Sequence, residues 1–325
     1  MKYFVTGGTG YIGSHLISEL RKAGHEVNAL VRDPSKAGKL ADSGARLITG
    51  DLADLNALRK GMSGVDGIFH LAAWYKLGVK DKHTAYQANV IGTKNVLNIM
   101  REQGIKKGVY TSSLAVFSDT KGFIPDEKYI FSGKHLSIYD RTKWQAHYKI
   151  VQPMIEEGLP VMIVMPGAVY GPDDPSMIGS SINDYLRRKF PFVPGGMKVC
   201  WGYIDDVVDA HIKVMEKGVP GESYITAGPV HSLEEVLELA EEITGIKAPG
   251  IKISPFIMKF LALKMWFWEK ILVIPPRYRS ESLRVTAGVS YLGSSRKAEK
   301  ELGCRFRPLA EGLEKTLKHA MEKMN

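Results

Sequence analysis

The sequence predicts an α/β protein: a doubly wound parallel sheet with a smaller C-terminal α/β region. Three observations carry that reading. Short apolar runs bounded by turn residues recur through residues 1–165, with helical patterns between them. The chain opens on one such run, Tyr3-Phe4-Val5, which passes straight into Thr6-Gly7-Gly8-Thr9-Gly10-Tyr11-Ile12-Gly13. Ile12, Leu16, Ile17 and Leu20 then recur at helical spacing, so a helix begins near Gly10. Strand, glycine turn and helix in succession form a cradle for a dinucleotide. Glycine lets the backbone approach a pyrophosphate, and the unpaired N–H groups of the helix start attract its charge.

At 325 residues there is room for one large domain and a smaller unit. The dinucleotide-binding domain is expected over 1–165 plus 203–228, and the substrate-binding region over 166–202 plus 229–325. A 44% hydrophobic and 24% charged composition is that of a soluble globular enzyme. The net charge of +9 suits an anionic cofactor or an acidic surface, but Lys and Arg are scattered, which argues against a nucleic-acid partner. Cys200 and Cys304, the only cysteines, lack metal-ligand spacing. No metal is therefore expected, and a reducing compartment is. With the first strand starting at residue 2 or 3, no signal peptide is expected, and the location reads as cytoplasmic.

Taken in order, Gly24-His25 turns into a second strand, Glu26 to Val31, whose end would meet the adenosine ribose. Asp33 lies at the usual offset for a ribose-binding carboxylate but precedes Pro34, while Arg32 and Lys36 offer positive charge to a 2′-phosphate. The lean is to NADP(H), with NAD(H) an alternative. Ala45 to Thr49 is a third strand, followed by Gly50-Asp51-Leu52, and Gly67 to Leu71 a fourth, closing with the small Ala72-Ala73. His70, within an apolar run, reads as a packed residue. Trp74-Tyr75-Lys76-Leu77 leaves on the cofactor side as a wall for substrate. A helix from about His83 to Gln103 leads to a fifth strand, Lys106 to Thr111, and to Ser112-Ser113. Residues 118–137, with Gly122, Pro125 and Gly133, have the composition of an exposed, mobile loop. Tyr139 to Glu157 is a helix broken near Pro153, and Pro160 to Met165 a sixth strand.

Tyr139 and Lys143 share one face of that helix. Alone the pair is commonplace. It gains weight behind a dinucleotide turn and a serine pair at a strand's carboxyl end, where ligands of open α/β sheets bind.

These stretches, with Asn89-Val90-Ile91-Gly92-Thr93, Thr111-Ser112-Ser113, Tyr139-Asp140-Arg141-Thr142-Lys143, Pro166-Gly167-Ala168-Val169-Tyr170-Gly171-Pro172 and Tyr203-Ile204-Asp205-Asp206-Val207, resemble the extended short-chain dehydrogenase/reductase superfamily from end to end. Within it the chain looks most like dihydroflavonol 4-reductase-like proteins and hopanoid-associated sugar epimerases, through Val31-Arg32-Asp33-Pro34 and Ala72 to Leu77. The resemblance implies a Rossmann fold and a catalytic Ser113, Tyr139 and Lys143. Asn89 is either a proton-relay member or a backbone organiser. Tyr139 would exchange the proton of the substrate's carbonyl oxygen, Ser113 would hydrogen-bond that oxygen, and a nearby Lys143 ammonium together with the positive nicotinamide ring would lower the phenol. Ser112 is the neighbouring alternative to Ser113.

Cofactor contacts are expected from Gly7, Gly8, Thr9, Gly10, Tyr11, Ile12, Gly13, Arg32, Lys36, Asp51, Leu52, Leu71, Ala72, Ala73, Thr111, Ser112, Tyr139, Lys143, Pro166, Gly167 and Val169. Substrate contacts are expected from Trp74, Tyr75, Ser113, Tyr139, Ala168 and Tyr170. A homodimer packed through the helices near 83–103 and 139–157 is what the resemblance suggests.

Beyond the sheet, Asp205-Asp206 reads as a capping or anchoring pair. Sugar-nucleotide epimerases of the family usually carry an Arg just before this motif, and often an Arg and an Asn after the sixth strand. Here stand Val199-Cys200-Trp201-Gly202 and Met165-Pro166-Gly167. An apolar substrate is favoured. The aromatic stretch within 251–276 is either a helix packed on the sheet domain or a lid or bilayer-contacting surface. Three functions follow: an NADPH-dependent ketone reductase or alcohol dehydrogenase, a sugar-nucleotide epimerase or dehydratase without net cofactor use, and a cofactor-binding protein without turnover.

Overall fold

The computed structural model describes residues 1–79, 81–190 and 192–324. Among the described residues thirteen strands occur, the first ten in chain order being β1 (Lys2–Thr6), β2 (Glu26–Val31), β3 (Arg46–Thr49), β4 (Gly67–His70), β5 (Gly108–Thr111), β6 (Val161–Pro166), β7 (Ala168–Tyr170), β8 (Val193–Pro194), β9 (Lys198–Tyr203) and β10 (Ser223–Thr226). Seven of them make one parallel sheet in the order β10-β6-β5-β4-β1-β2-β3. The chain winds outward in both directions from β1, so the crevice at the carboxyl ends of β1 and β4 is the switch point where such sheets bind ligands. Every residue of β4, β5 and β6 is buried, as a strand covered on both faces requires. On one face pack Leu16, Ile17 and Leu20 with Val208 and Val214, and on the other Leu58, Met62, Val96, Leu97 and Met100. A smaller sheet joins β7 and β9 to Val230–Ser232 and Ser290–Tyr291.

Two long helices carry a π turn each, Gln87–Ile91 within residues 82–102 and His147–Val151 within residues 138–156. The second ends two residues before Pro153, so the irregularity expected near that proline takes the form of a π turn in a helix that runs on through Gln152–Glu156.

Two expectations are corrected. The 118–137 segment is largely exposed, as its composition suggests, but it is fastened at several points: Thr120 N–H donates to the Ser290 carbonyl at 2.8 Å, Ser294 N–H to the Pro125 carbonyl at 2.8 Å, and Ile225 N–H of β10 to Glu127 at 2.9 Å. Composition marks a loop but not its long-range backbone partners. The aromatic helix Pro255–Trp268 does not pack on the sheet domain. It buries only Met258 and Ala262, which meet Leu283 and Ala287 in a small separate core.

Candidate active site

The crevice at the carboxyl edge opens into a cavity of about 530 Å³ lined from both units of the chain. At its sheet end lies the glycine turn. Gly7 has φ +75°, and a Cβ there would lie 2.6 Å from the Ala72 backbone nitrogen; one on Gly13 would lie 2.2 Å from the Gly7 carbonyl oxygen. Only hydrogen fits at either place. The helix that follows, Tyr11–Lys22, starts at Gly10 with no capping side chain and no acidic residue in its first turn. Its first N–H groups are thus left for an anion. Gly7, Gly10, Tyr11, Ile12 and Gly13 all line the cavity, so the turn fits a pyrophosphate. Gly8 faces away: its missing Cβ leaves room for Ile17 and Leu40.

The opposite strand end is fixed by a buried chain of hydrogen bonds. Thr93 Oγ1 donates to the Asn89 carbonyl at 2.6 Å, and therefore accepts from His70 Nε2 at 3.0 Å. His70 Nδ1 then accepts from Thr6 Oγ1 at 2.7 Å, and Thr6 Oγ1 accepts from Ala72 N–H at 3.3 Å. Burial pushes the His70 imidazole down to about 3, so the ring stays neutral. His70 is a packed residue that holds the backbone against Gly7.

Tyr139 and Lys143 lie on the helix Ile138–Ala146, whose start is capped by Ser137. The Ser113 hydroxyl faces Tyr139 closely enough to lower its phenol, and it accepts from Ala115 N–H at 3.1 Å. Ser112 points the other way, to His147 Nδ1 at 2.8 Å. The geometry therefore separates the two serines and puts Ser113 on the cavity phenol. Burial raises the Tyr139 phenol, and the Ser113 contact offsets only part of this, with the edge of Tyr75 packed against it at 4.8 Å between ring centroids.

The Lys143 amine donates to the Thr111 carbonyl at 2.7 Å and the Tyr110 hydroxyl at 3.1 Å, and burial brings it down to about 7. Both desolvated groups favour their neutral forms. Tyr139 is thereby kept protonated.

Asn89, within the π turn, is an organiser. Its Oδ1 accepts from Trp74 N–H at 2.6 Å, and its Nδ2 donates to the Trp74 carbonyl at 3.1 Å and to Thr142 Oγ1 at 2.9 Å. Trp74 is consequently buried, and the cavity wall there is Tyr75 and Leu77. Leu71, Ala73, Thr111, Ser112, Pro166, Gly167, Ala168, Val169 and Tyr170 also line the cavity. The Tyr170 hydroxyl is spent on the Leu309 carbonyl at 3.4 Å.

At the adenosine end, Arg32 and Lys36 are exposed. Asp33 accepts from the backbone N–H and hydroxyl of Ser35, at 3.1 and 2.6 Å, and approaches Lys36 at 3.6 Å. Asp51 accepts from Ala53 and Asp54 N–H groups at 2.8 and 3.1 Å, and Leu52 packs where Gly92 lacks a side chain. Thr9 is exposed beside the turn.

Residues 3–227 match the model of the NAD dependent epimerase/dehydratase family. The chain belongs to that family, within the extended short-chain dehydrogenases/reductases. It is 30% identical over 313 residues to sterol demethylase protein B of Methylococcus capsulatus, covering 93% of each chain. It is 33% identical to a putative dihydroflavonol 4-reductase of Synechocystis sp., covering 93% of this chain and 89% of that one. The solved structure of gox2253 superposes with a TM-score of 0.85 at 31% identity, covering 99% of this chain and 98% of the other. Members of the family are NAD-dependent oxidoreductases, epimerases or dehydratases.

Several residues of the site carry no sequence signal. Tyr291 donates to Asp140 at 3.0 Å, next to Tyr139, and burial lifts the Asp140 carboxyl to about 6. Glu281 accepts from the Ile138 N–H at 2.5 Å, bracing the start of the helix that bears Tyr139. Both lie more than 140 residues downstream of their partners. The inner wall, built from Ile178, Ile182, Leu233, Leu237, Leu313 and Leu317, comes from three separate helices.

Proposed function

We propose that this protein transfers hydride between NADPH and a ketone of a relatively apolar small molecule, or runs the reverse alcohol oxidation. The observation that carries this reading is the continuity of the Ser113–Tyr139 contact with an almost wholly aliphatic and aromatic inner cavity. Val199 and Trp201 line that cavity in the stretch where sugar-nucleotide enzymes of the family usually place a diphosphate-binding Arg. A relative named for sterol demethylation supports the same substrate class.

The dinucleotide supplies or accepts the hydride. The chain's own groups do the rest. Tyr139, kept protonated by burial, gives its proton to the carbonyl oxygen while Ser113 hydrogen-bonds that oxygen. Lys143 holds the nicotinamide ribose hydroxyls and the floor of the site through the Thr111 carbonyl. Gly10 to Gly13 hold the pyrophosphate, and the exposed Arg32 and Lys36 meet the 2′-phosphate. The Asp33 carboxylate, engaged by Ser35, is drawn away from a ribose hydroxyl. NADPH is expected to bind at least about tenfold tighter than NADH, since a charge-assisted contact contributes on that scale. Equal affinities in a fluorescence titration would refute the preference.

Epimerisation is the second reading, favoured by the family that the chain matches. Incubation with NADPH deuterated at C4 and a metabolite extract separates the two. Deuterium in the product means net reduction, and a rearranged product without label means epimerisation.

A further inference from the structure

The helix Pro255–Trp268 is apolar around its circumference yet lies on the surface. On this helix Phe256 is 81% exposed and Leu263 64%, with Phe260, Trp266 and Phe267 also open, and Val273, just past its end, is 98% exposed. Isolated exposed hydrophobes need no explanation, but a contiguous aromatic face does. Lysines are interleaved with it. Lys264 stands over the Phe260 ring at 4.8 Å, Lys270 over Trp266 at 3.4 Å, and Lys259 is exposed on the same helix. Among the described residues, Lys252 pairs with Glu238 at 3.8 Å, and no carboxylate pairs with Lys259, Lys264 or Lys270.

We propose that this face docks on the interface of an anionic lipid bilayer and takes up the apolar substrate there. The charge pattern selects the occupant. The centre of a protein–protein interface is depleted of lysine, so a second copy of the chain would bury these ammonium groups at a cost. A bilayer interface accepts rings at headgroup depth while lysine stems extend their charges to lipid phosphates. Fourteen residues of helix extend about 21 Å, short of the hydrocarbon core, and among the described residues no helix is long and apolar enough to cross a membrane. The helix therefore lies in the plane of the interface.

Its position ties docking to the site. The short helix Ser280–Thr286 turns Leu283 toward Met258 and Ala262 of the docking helix, and Val285 and Thr286 toward the cavity. One helix thus separates the exposed face from the substrate chamber. The substrate's apolarity rests on the reading in the preceding subsection; the docking itself does not.

The test is flotation of the full chain with vesicles of mixed phosphatidylglycerol and phosphatidylcholine, and with phosphatidylcholine alone. The protein is expected to float with the anionic vesicles, with a blue shift of tryptophan emission from Trp266 and Trp268. Phe256→Ser, Leu263→Ser and Val273→Ser combined should keep the melting temperature and weaken flotation about tenfold or more, because all three side chains are exposed. Lys259→Glu, Lys264→Glu and Lys270→Glu combined should do the same by charge alone.

No flotation, flotation indifferent to both triple variants, or a wild-type dimer that the serine variant converts to monomer in light scattering would each overturn the proposal. Reduction of a short water-soluble ketone without vesicles reports on hydride transfer alone. Its loss with intact flotation would sink the catalytic reading and leave the docking face standing.

Discussion

At the scale of single residues, the site is governed by desolvation. Tyr139 is buried and raised, so it is a donor whose proton is present throughout the neutral range. Tyr139→Phe should lower kcat about 10²- to 10⁴-fold, the usual share of a general acid, while NADPH affinity by fluorescence stays nearly unchanged. Ser113→Ala should also lower kcat. Ser112→Ala should mainly lower the melting temperature, because its hydroxyl serves His147. Lys143 gives a pH signature. Its amine titrates near 7 in the fold and near 10.5 in the unfolded chain. Between those values the unfolded chain holds a proton that the fold does not, so this group's contribution to stability rises with pH by about 1.4 kcal/mol per unit. Below 7 both states bind the proton, and the full cost of burying the ammonium is felt. Lys143→Met should remove that slope. Its melting temperature relative to wild type should be highest near pH 6 and fall as pH rises, and a gap independent of pH would contradict the assignment.

At the scale of elements, irregular turns place the chemistry. The π turn Gln87–Ile91 presents Asn89 to both backbone groups of Trp74, and so sets the path of the loop that brings Tyr75 onto Tyr139. Asn89→Ala leaves buried Trp74 backbone groups unpaired, at about 1–3 kcal/mol for each. The melting temperature should fall, and KM for the ketone should rise with the displaced loop. The glycine turn is less forgiving. Gly13→Ala forces a methyl against the Gly7 carbonyl and should abolish dinucleotide binding, whereas Gly38→Ala meets nothing within 4 Å and should be silent in the same titration.

At the scale of the molecule, the two units are joined by contacts distant in sequence. Arg307 forks onto Asp206 at 2.6 to 3.0 Å and stacks over Tyr203 at 4.1 Å, fastening the C-terminal segment to the helix Ile204–Lys217. Asp206 is an anchor, as its place in the sequence suggested. Arg307→Ala should cost roughly 2 kcal/mol or more in chemical denaturation, and Arg307→Lys should restore little, because an ammonium cannot reproduce the fork or the stacking. Glu281 and Tyr291 likewise reach the Tyr139 helix from the C-terminal region. The C-terminal region thus both lines the cavity and braces the helix that bears Tyr139.

The sequence by itself determined the parallel sheet, the glycine turn and the Tyr139/Lys143 pair. Each depends on local chemistry: period, backbone freedom, and a four-residue helical offset. By resemblance it also favoured Ser113 over Ser112 as the catalytic serine, and it left the role of Asn89 open, since that depends on which way a side chain points. Tertiary structure decided that Ser113 faces the phenol, that Asn89 holds Trp74, and that Lys143 serves Thr111 and Tyr110. It likewise decided that the 118–137 loop is fastened and that the aromatic helix is exposed. An apolar run has the same composition in a core as on a surface; only the elements packed around it determine which it becomes.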